Sequence, residues 1–116
     1  MNLAYIGLGS NLDNPLQQLR NAVNAIEKLP ECTLEATSSV YQSSPLGPSD
    51  QPDFLNAAIR ISTSLAPLVL LDQLQNIEET QGRTRTQHWG PRTLDLDLLL
   101  FGDQIIADER LTVPHP

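Results

Sequence analysis

An α+β domain is what the sequence predicts, on three observations. Two stretches carry apolar residues at three-and-four spacing, each opened by a proline, Pro15 and Pro67. Four other stretches of strand length alternate apolar and polar residues or run apolar throughout. The two kinds interleave as β-α-β-β-α-β along 116 residues, enough for one modest core but not for two.

The first strand is expected in the apolar run Asn2-Leu3-Ala4-Tyr5-Ile6-Gly7-Leu8, which enters a turn at Gly9-Ser10-Asn11. Asp13-Asn14-Pro15 offers a polar cap and a first-turn proline for a helix. Leu16, Leu19, Val23 and Ile26 would form its apolar face, ending before Pro30. From Cys32 to Gln42 a single polar strand is expected, with Leu34, Ala36, Ser38 and Val40 on one face. Pro45, Gly47, Pro48 and Pro52 exclude regular structure across 43–53. Strand character resumes from Phe54 to Ser64 through Leu55, Ala57, Ile59 and Ile61. Pro67 opens the second helix, whose Leu70, Leu71, Leu74 and Ile77 face the core, and Gly82 is a natural stop. Residues 83–93 are polar and irregular. After the next strand and Gly102-Asp103, residues from Ile105 to Val113 would make a small hairpin or extended arm. The order is that of ferredoxin-like sandwiches, an antiparallel sheet with both helices on one face. Such a fold hosts many functions and names none.

The net charge of −7 argues against nucleic acid or an anionic membrane as the main partner. Four of the seven basic residues, Arg83, Arg85, Arg92 and Arg110, fall between 83 and 110, and arginine suits bidentate phosphate recognition. Cys32 is the one cysteine, so no intramolecular disulfide or cysteine-rich metal site can form. Without a basic, apolar leader or a run long enough to span a bilayer, a cytoplasmic protein is expected, and a monomer.

The strand that begins near Thr93 holds the informative anomaly, Leu94-Asp95-Leu96-Asp97-Leu98-Leu99-Leu100. Strand alternation puts Asp95 and Asp97 on one face, with Leu94, Leu96, Leu98 and Leu100 on the other. Two like charges so close are costly unless a cation lies between them, and Mg²⁺ takes such oxygen ligands while leaving positions for phosphates. An isolated D-x-D reads more readily as the wet face of an edge strand. Here Gly90-Pro91-Arg92 and the neighbouring arginines favour a metal with a small phosphorylated ligand. Gly7-Leu8-Gly9 lacks the third glycine of a dinucleotide turn, since position 12 is Leu12, and no P-loop is present. His88 and His115 cannot build a zinc site with their neighbours. The proline-rich loop with Phe54 and Asn56 could read the edge of a flat heterocycle, one by its ring and the other by its amide, although taken alone an ordinary structural loop with Phe54 in the core is the favoured reading.

These residues resemble a known family, the 6-hydroxymethyl-7,8-dihydropterin pyrophosphokinases of folate biosynthesis. The resemblance rests on His88-Trp89-Gly90-Pro91-Arg92-Thr93-Leu94-Asp95-Leu96-Asp97-Leu98-Leu99. Three further blocks agree in order: Ala4 to Leu12, Pro45 to Ala57 and Glu109 to Pro116. The resemblance implies transfer of the pyrophosphoryl group of ATP to the pterin hydroxymethyl group, leaving AMP. It also implies that Asp95 and Asp97 hold two Mg²⁺ ions and that Arg83 and Arg92 engage the phosphates. ATP would further meet Leu98, Arg110, Leu111, Thr112 and His115. The reduced pterin would meet Ser43, Ser44, Leu46, Phe54, Asn56 and Asp95. Ser43-Ser44-Pro45 stands where Thr-Pro-Pro is frequent, and Phe54 where tyrosine is. Family members continue for some tens of residues past the equivalent of Pro116, so residues 1–116 are expected to be a single pyrophosphokinase domain missing its C-terminal part. The competing expectation is a catalytically incomplete nucleotide-binding module.

Overall fold

The computed structural model describes residues 1–12, 14–44, 53–81 and 94–116. In chain order these form β1 (Asn2–Ser10), α1 (Pro15–Glu27), β2 (Cys32–Thr37), β3 (Tyr41–Ser43), β4 (Phe54–Thr63), α2 (Pro67–Thr80) and β5 (Asp95–Phe101). A small hairpin, β6 (Ile106–Ala107) with β7 (Thr112–Val113), completes the described part. The antiparallel main sheet runs β2-β4-β1-β5, with β3 also paired to β4. The chain is therefore α+β, with two helices and an antiparallel sheet. Among the described residues no helix is long and apolar enough to cross a membrane.

One face of the sheet is the core face. Ala4, Ile6 and Leu8 of β1, Ala57, Ile59 and Ile61 of β4, and Leu96, Leu98 and Phe101 of β5 are buried there against Leu19, Ala22 and Ile26 of α1 and Leu70, Leu71, Leu74 and Ile77 of α2. The helices touch each other; α1 lies over β1, β4 and β2, and α2 over β5. Burying that many branched aliphatic side chains at roughly 1.5–3 kcal/mol each supplies the main drive for the fold.

Several sequence expectations need correction. Leu16 was expected on the buried face of α1 but is exposed, and Ala22 takes its place between Leu19 and Ile26. Asn14 precedes the helix in a left-handed conformation (φ 61°) and makes no side-chain cap bond. The single strand expected from Cys32 to Gln42 is broken into β2 and β3. A bulge between Leu34 and Ala36 shifts the register, and Ser38 then takes over as ladder partner. Its N–H donates to Ala58 O (2.8 Å), while Ala58 N–H donates to the Ser38 hydroxyl rather than to a carbonyl (2.8 Å). A side chain competing with the ladder in this way ends regular pairing. Leu100, expected with the core leucines, is 41% exposed. The register slips between Tyr5 and Ile6, so the bulge at Leu99 turns Leu100 outward and brings Phe101 into the core. Gly82 and the 83–93 stretch lie outside the described residues.

Candidate active site

β5 is the outermost strand on its side of the sheet, and it carries the two carboxylates. Pairing with β1 sets Asp95 opposite Gly9 and Asp97 opposite Gly7. Across β1, Gly9 faces Asn56 of β4, and Asn56 faces Tyr41 of β3. Directly paired residues share a sheet face, so the row Tyr41–Asn56–Gly9–Asp95 crosses four strands on the face away from the helices. Phe54 and Ser43 form the adjoining pair at the open end of the same face.

The absence of a side chain at Gly9 lets its neighbours lean over the strand. A Cβ built there would lie 3.3 Å from Asn56 Oδ1 and 3.6 Å from a ring carbon of Phe54. The Asn56 amide nitrogen donates to Ser43 Oγ (2.8 Å) and more weakly to Tyr41 O (3.4 Å). Phe54, Asn56 and Ser43 thus form a low platform of ring, amide and hydroxyl. Ser44 is exposed beside it, and Leu46 lies outside the described residues.

On the outer side of β5 is a cavity of about 300 Å³. Asp95, Asp97 and Leu98 line one wall, Leu71, Gln75 and Glu78 of α2 a second, and Arg110, Leu111, Thr112 and His115 a third. The last wall belongs to the β6–β7 arm. Its turn is closed by Asp108, whose backbone exchanges hydrogen bonds with Leu111 and whose carboxylate accepts the Arg110 N–H (3.0 Å). The Arg110 guanidinium pairs with Asp72 and donates to Gln75 Oε1 (3.1 Å), tying the arm to α2. His115 N–H donates to Leu99 O (3.0 Å), tying the arm to the free edge of β5. The His115 ring then lies with Nε2 3.5 Å from Asp97 Oδ1.

Asp95 therefore belongs to both regions, the cavity by contact and the platform by register. Asp97 is 52% exposed. Two carboxylates on neighbouring outward positions suit Mg²⁺, which needs one or two from the protein and takes its remaining oxygens from phosphates and water. Among the described residues no group of three or more His, Cys, Asp and Glu forms a ready-made metal cage.

Every expected ATP contact among the described residues lines this one cavity. The expected pterin contacts Ser43, Phe54 and Asn56 lie together on the open sheet face. Arg83, Arg85 and Arg92, with His88 and Trp89, lie outside the described residues. Sequence reasoning missed Glu78, a carboxylate buried in the cavity wall. The signal was present: Glu78 follows Leu74 by four and Leu71 by seven, within the buried stripe of α2.

Comparison with known proteins places the chain in a family. The family model described as 7,8-dihydro-6-hydroxymethylpterin-pyrophosphokinase matches residues 5–116. A Haemophilus influenzae protein named 2-amino-4-hydroxy-6-hydroxymethyldihydropteridine pyrophosphokinase is 59% identical over 112 residues, covering 97% of this chain and 70% of the relative. A Pseudomonas putida protein of the same name is 54% identical over 112 residues, covering 97% of this chain and 92% of its own length. A Bacillus subtilis protein, again of that name, is 49% identical over 115 residues, with 99% and 69% covered. With a match along nearly its whole length and the acidic strand set between platform and cavity, the chain belongs to the 7,8-dihydro-6-hydroxymethylpterin-pyrophosphokinase family.

Proposed function

We propose that this chain transfers the pyrophosphoryl group of ATP to the hydroxymethyl group of 6-hydroxymethyl-7,8-dihydropterin, giving AMP and the pterin diphosphate for folate biosynthesis. Membership in the family supports the enzyme over a binding module. The observation that carries the reading is the position of Asp95 and Asp97 between a cavity of about 300 Å³ and the Phe54–Asn56 platform.

In this reading the adenosine side of ATP rests against Leu98, Arg110, Leu111 and Thr112, and His115 meets the phosphates. The pterin lies on Phe54 with its polar edge toward Asn56 and the Ser43–Ser44 rim; Leu46 belongs to the same rim by resemblance. Two strand spacings, about 10 Å, separate the strands that bear Asn56 and Asp95. That distance accommodates a flat bicyclic ring with its hydroxymethyl arm reaching the carboxylate. The hydroxyl oxygen then bonds to the β-phosphorus as its bond to the oxygen bridging to the α-phosphate breaks, AMP leaves with that oxygen, and the hydroxyl proton passes to water. The work of the chain is alignment of the two reactants, the main protein contribution to phosphoryl-type transfer.

Asp95 and Asp97 would hold two Mg²⁺ ions, and Arg83 and Arg92 would match the remaining phosphate charge. The chemistry supplied by bound Mg²⁺ is neutralisation of charge on the phosphate oxygens. We read residues 1–116 as one domain of ferredoxin-like type, supported by the strand order and the single core cluster. A monomer and a cytoplasmic setting complete the reading, on the family resemblance. Incubation with ATP, Mg²⁺ and the hydroxymethyl dihydropterin should release AMP and pterin diphosphate in equal amounts. Failure of AMP to form with both substrates present would overturn the proposal.

A further inference from the structure

Glu78 is only 7% exposed, a rare depth for a carboxylate. Its Oε2 accepts the backbone N–H of Leu96 at 2.8 Å. Among the described residues β5 is an edge strand whose outward-facing N–H groups have no ladder partner there, and Glu78 supplies an acceptor to one of them from the facing helix. Leu96 is the residue between Asp95 and Asp97, and its N–H belongs to the peptide plane that joins it to Asp95. Fixing that plane fixes ψ of Asp95 and φ of Leu96. Those are two of the four backbone angles, with ψ of Leu96 and φ of Asp97, that set the relative directions in which the two carboxylates leave the strand.

We infer that Glu78 is a positioning residue for Asp95 and Asp97. Two like charges two residues apart push each other away, and an edge strand can yield by twisting, since among the described residues only β1 holds it by a ladder. A charge-assisted bond to the intervening peptide opposes that twist at the point where it matters. What the geometry requires of residue 78 is an acceptor oxygen at the end of a side chain of glutamate length. A glutamine can meet that demand, whereas a residue that binds cation or phosphate through its own charge must be anionic. The two roles therefore separate on substitution.

The inference rests on the proposed pyrophosphokinase activity for its meaning, but its test does not. E78Q keeps the oxygen, and E78M keeps the length without an acceptor. Amide hydrogen exchange at Leu96 and Asp97 in the ligand-free protein reads the clamp directly. Calorimetry with Mg²⁺ and α,β-methylene ATP reads its effect on the site. In E78M the Leu96 amide should exchange roughly tenfold or more faster, and binding should weaken roughly 10- to 100-fold, the range for residues that orient metal ligands. E78Q should stay within about threefold of the unaltered protein on both measures. Unchanged Leu96 exchange in E78M, or E78Q falling as far as E78M, would overturn the inference. If E78M does not fold, E78Q alone decides: near-normal binding upholds an acceptor role and loss of binding refutes it. Turnover by the unaltered protein separately tests the pyrophosphokinase reading, so either idea can fail while the other stands.

Discussion

His115 Nε2 lies 3.5 Å from Asp97 Oδ1, joining the last described residues of the arm to the acidic strand. The backbone bond from His115 to Leu99 holds the ring there independently of the side-chain contact. His115→Ala should therefore leave the arm docked and remove one polar partner of the nucleotide phosphates. A hydrogen bond to a charged group contributes about 1.5–3 kcal/mol, so ATP-analogue affinity should fall by roughly 10- to 100-fold. Pterin affinity should not change. Separate titrations of the two ligands check this, and an equal loss in both would mean that the arm had moved.

Asp95→Ala and Asp97→Ala should each lower the rate of AMP formation by roughly a hundredfold or more, as removal of a main electrostatic contributor does. Neither should lower the melting temperature. Both carboxylates face away from the core, and deleting one relieves repulsion by the other. Melting curves beside a rate measurement decide between a role in the site and a role in the fold.

Gly9→Ala tests the platform without touching a charged group. The new methyl would stand 3.3 Å from Asn56 Oδ1, so the amide must give way by a few tenths of an ångström, while the Phe54 ring at 3.6 Å meets it in ordinary contact. Overpacking of this kind costs about 1–3 kcal/mol. The expected result is pterin affinity reduced by about tenfold, with Mg²⁺-dependent nucleotide affinity unchanged. Pterin fluorescence titration reads the first and calorimetry the second.

Arg110→Ala should separate binding from stability. The Arg110–Asp72 pair is half exposed on both sides, and such pairs contribute up to about 1 kcal/mol at most. Urea unfolding should therefore shift little. Nucleotide affinity should drop, because Arg110 lines the cavity. Asp72→Ala should match Arg110→Ala in the unfolding assay and affect nucleotide affinity less.

Much of this was legible from local pattern. Proline at the helix starts, the stripe Leu70–Leu71–Leu74–Ile77 and the alternation in β4 all follow from periodicities that packing then satisfies. Alternation also put Asp95 and Asp97 on one face, as observed. The misreadings have tertiary causes. The Ser38 hydroxyl substitutes for a ladder carbonyl only because β4 presents Ala58 to it. Leu100 turns outward because of a slip against β1, which no pattern within β5 reveals. The cavity needs α2, β5 and the arm together, and the bond between Glu78 and Leu96 spans 18 positions in sequence.

The edge placement of β5 has a mechanical side. Among the described residues the strand hangs from the β1 ladder, the Glu78 carboxylate and the His115 backbone. Two of these belong to the cavity walls, while the ladder leads to the platform. A load on either side is therefore carried by the same beam. Ligand in the cavity that draws on α2 or the arm should alter the tension on Asp95 as seen from the platform, and by linkage the reverse effect must be equal in free energy. Nucleotide and pterin titrations, each run with and without the other ligand, should therefore return the same coupling factor from both sides.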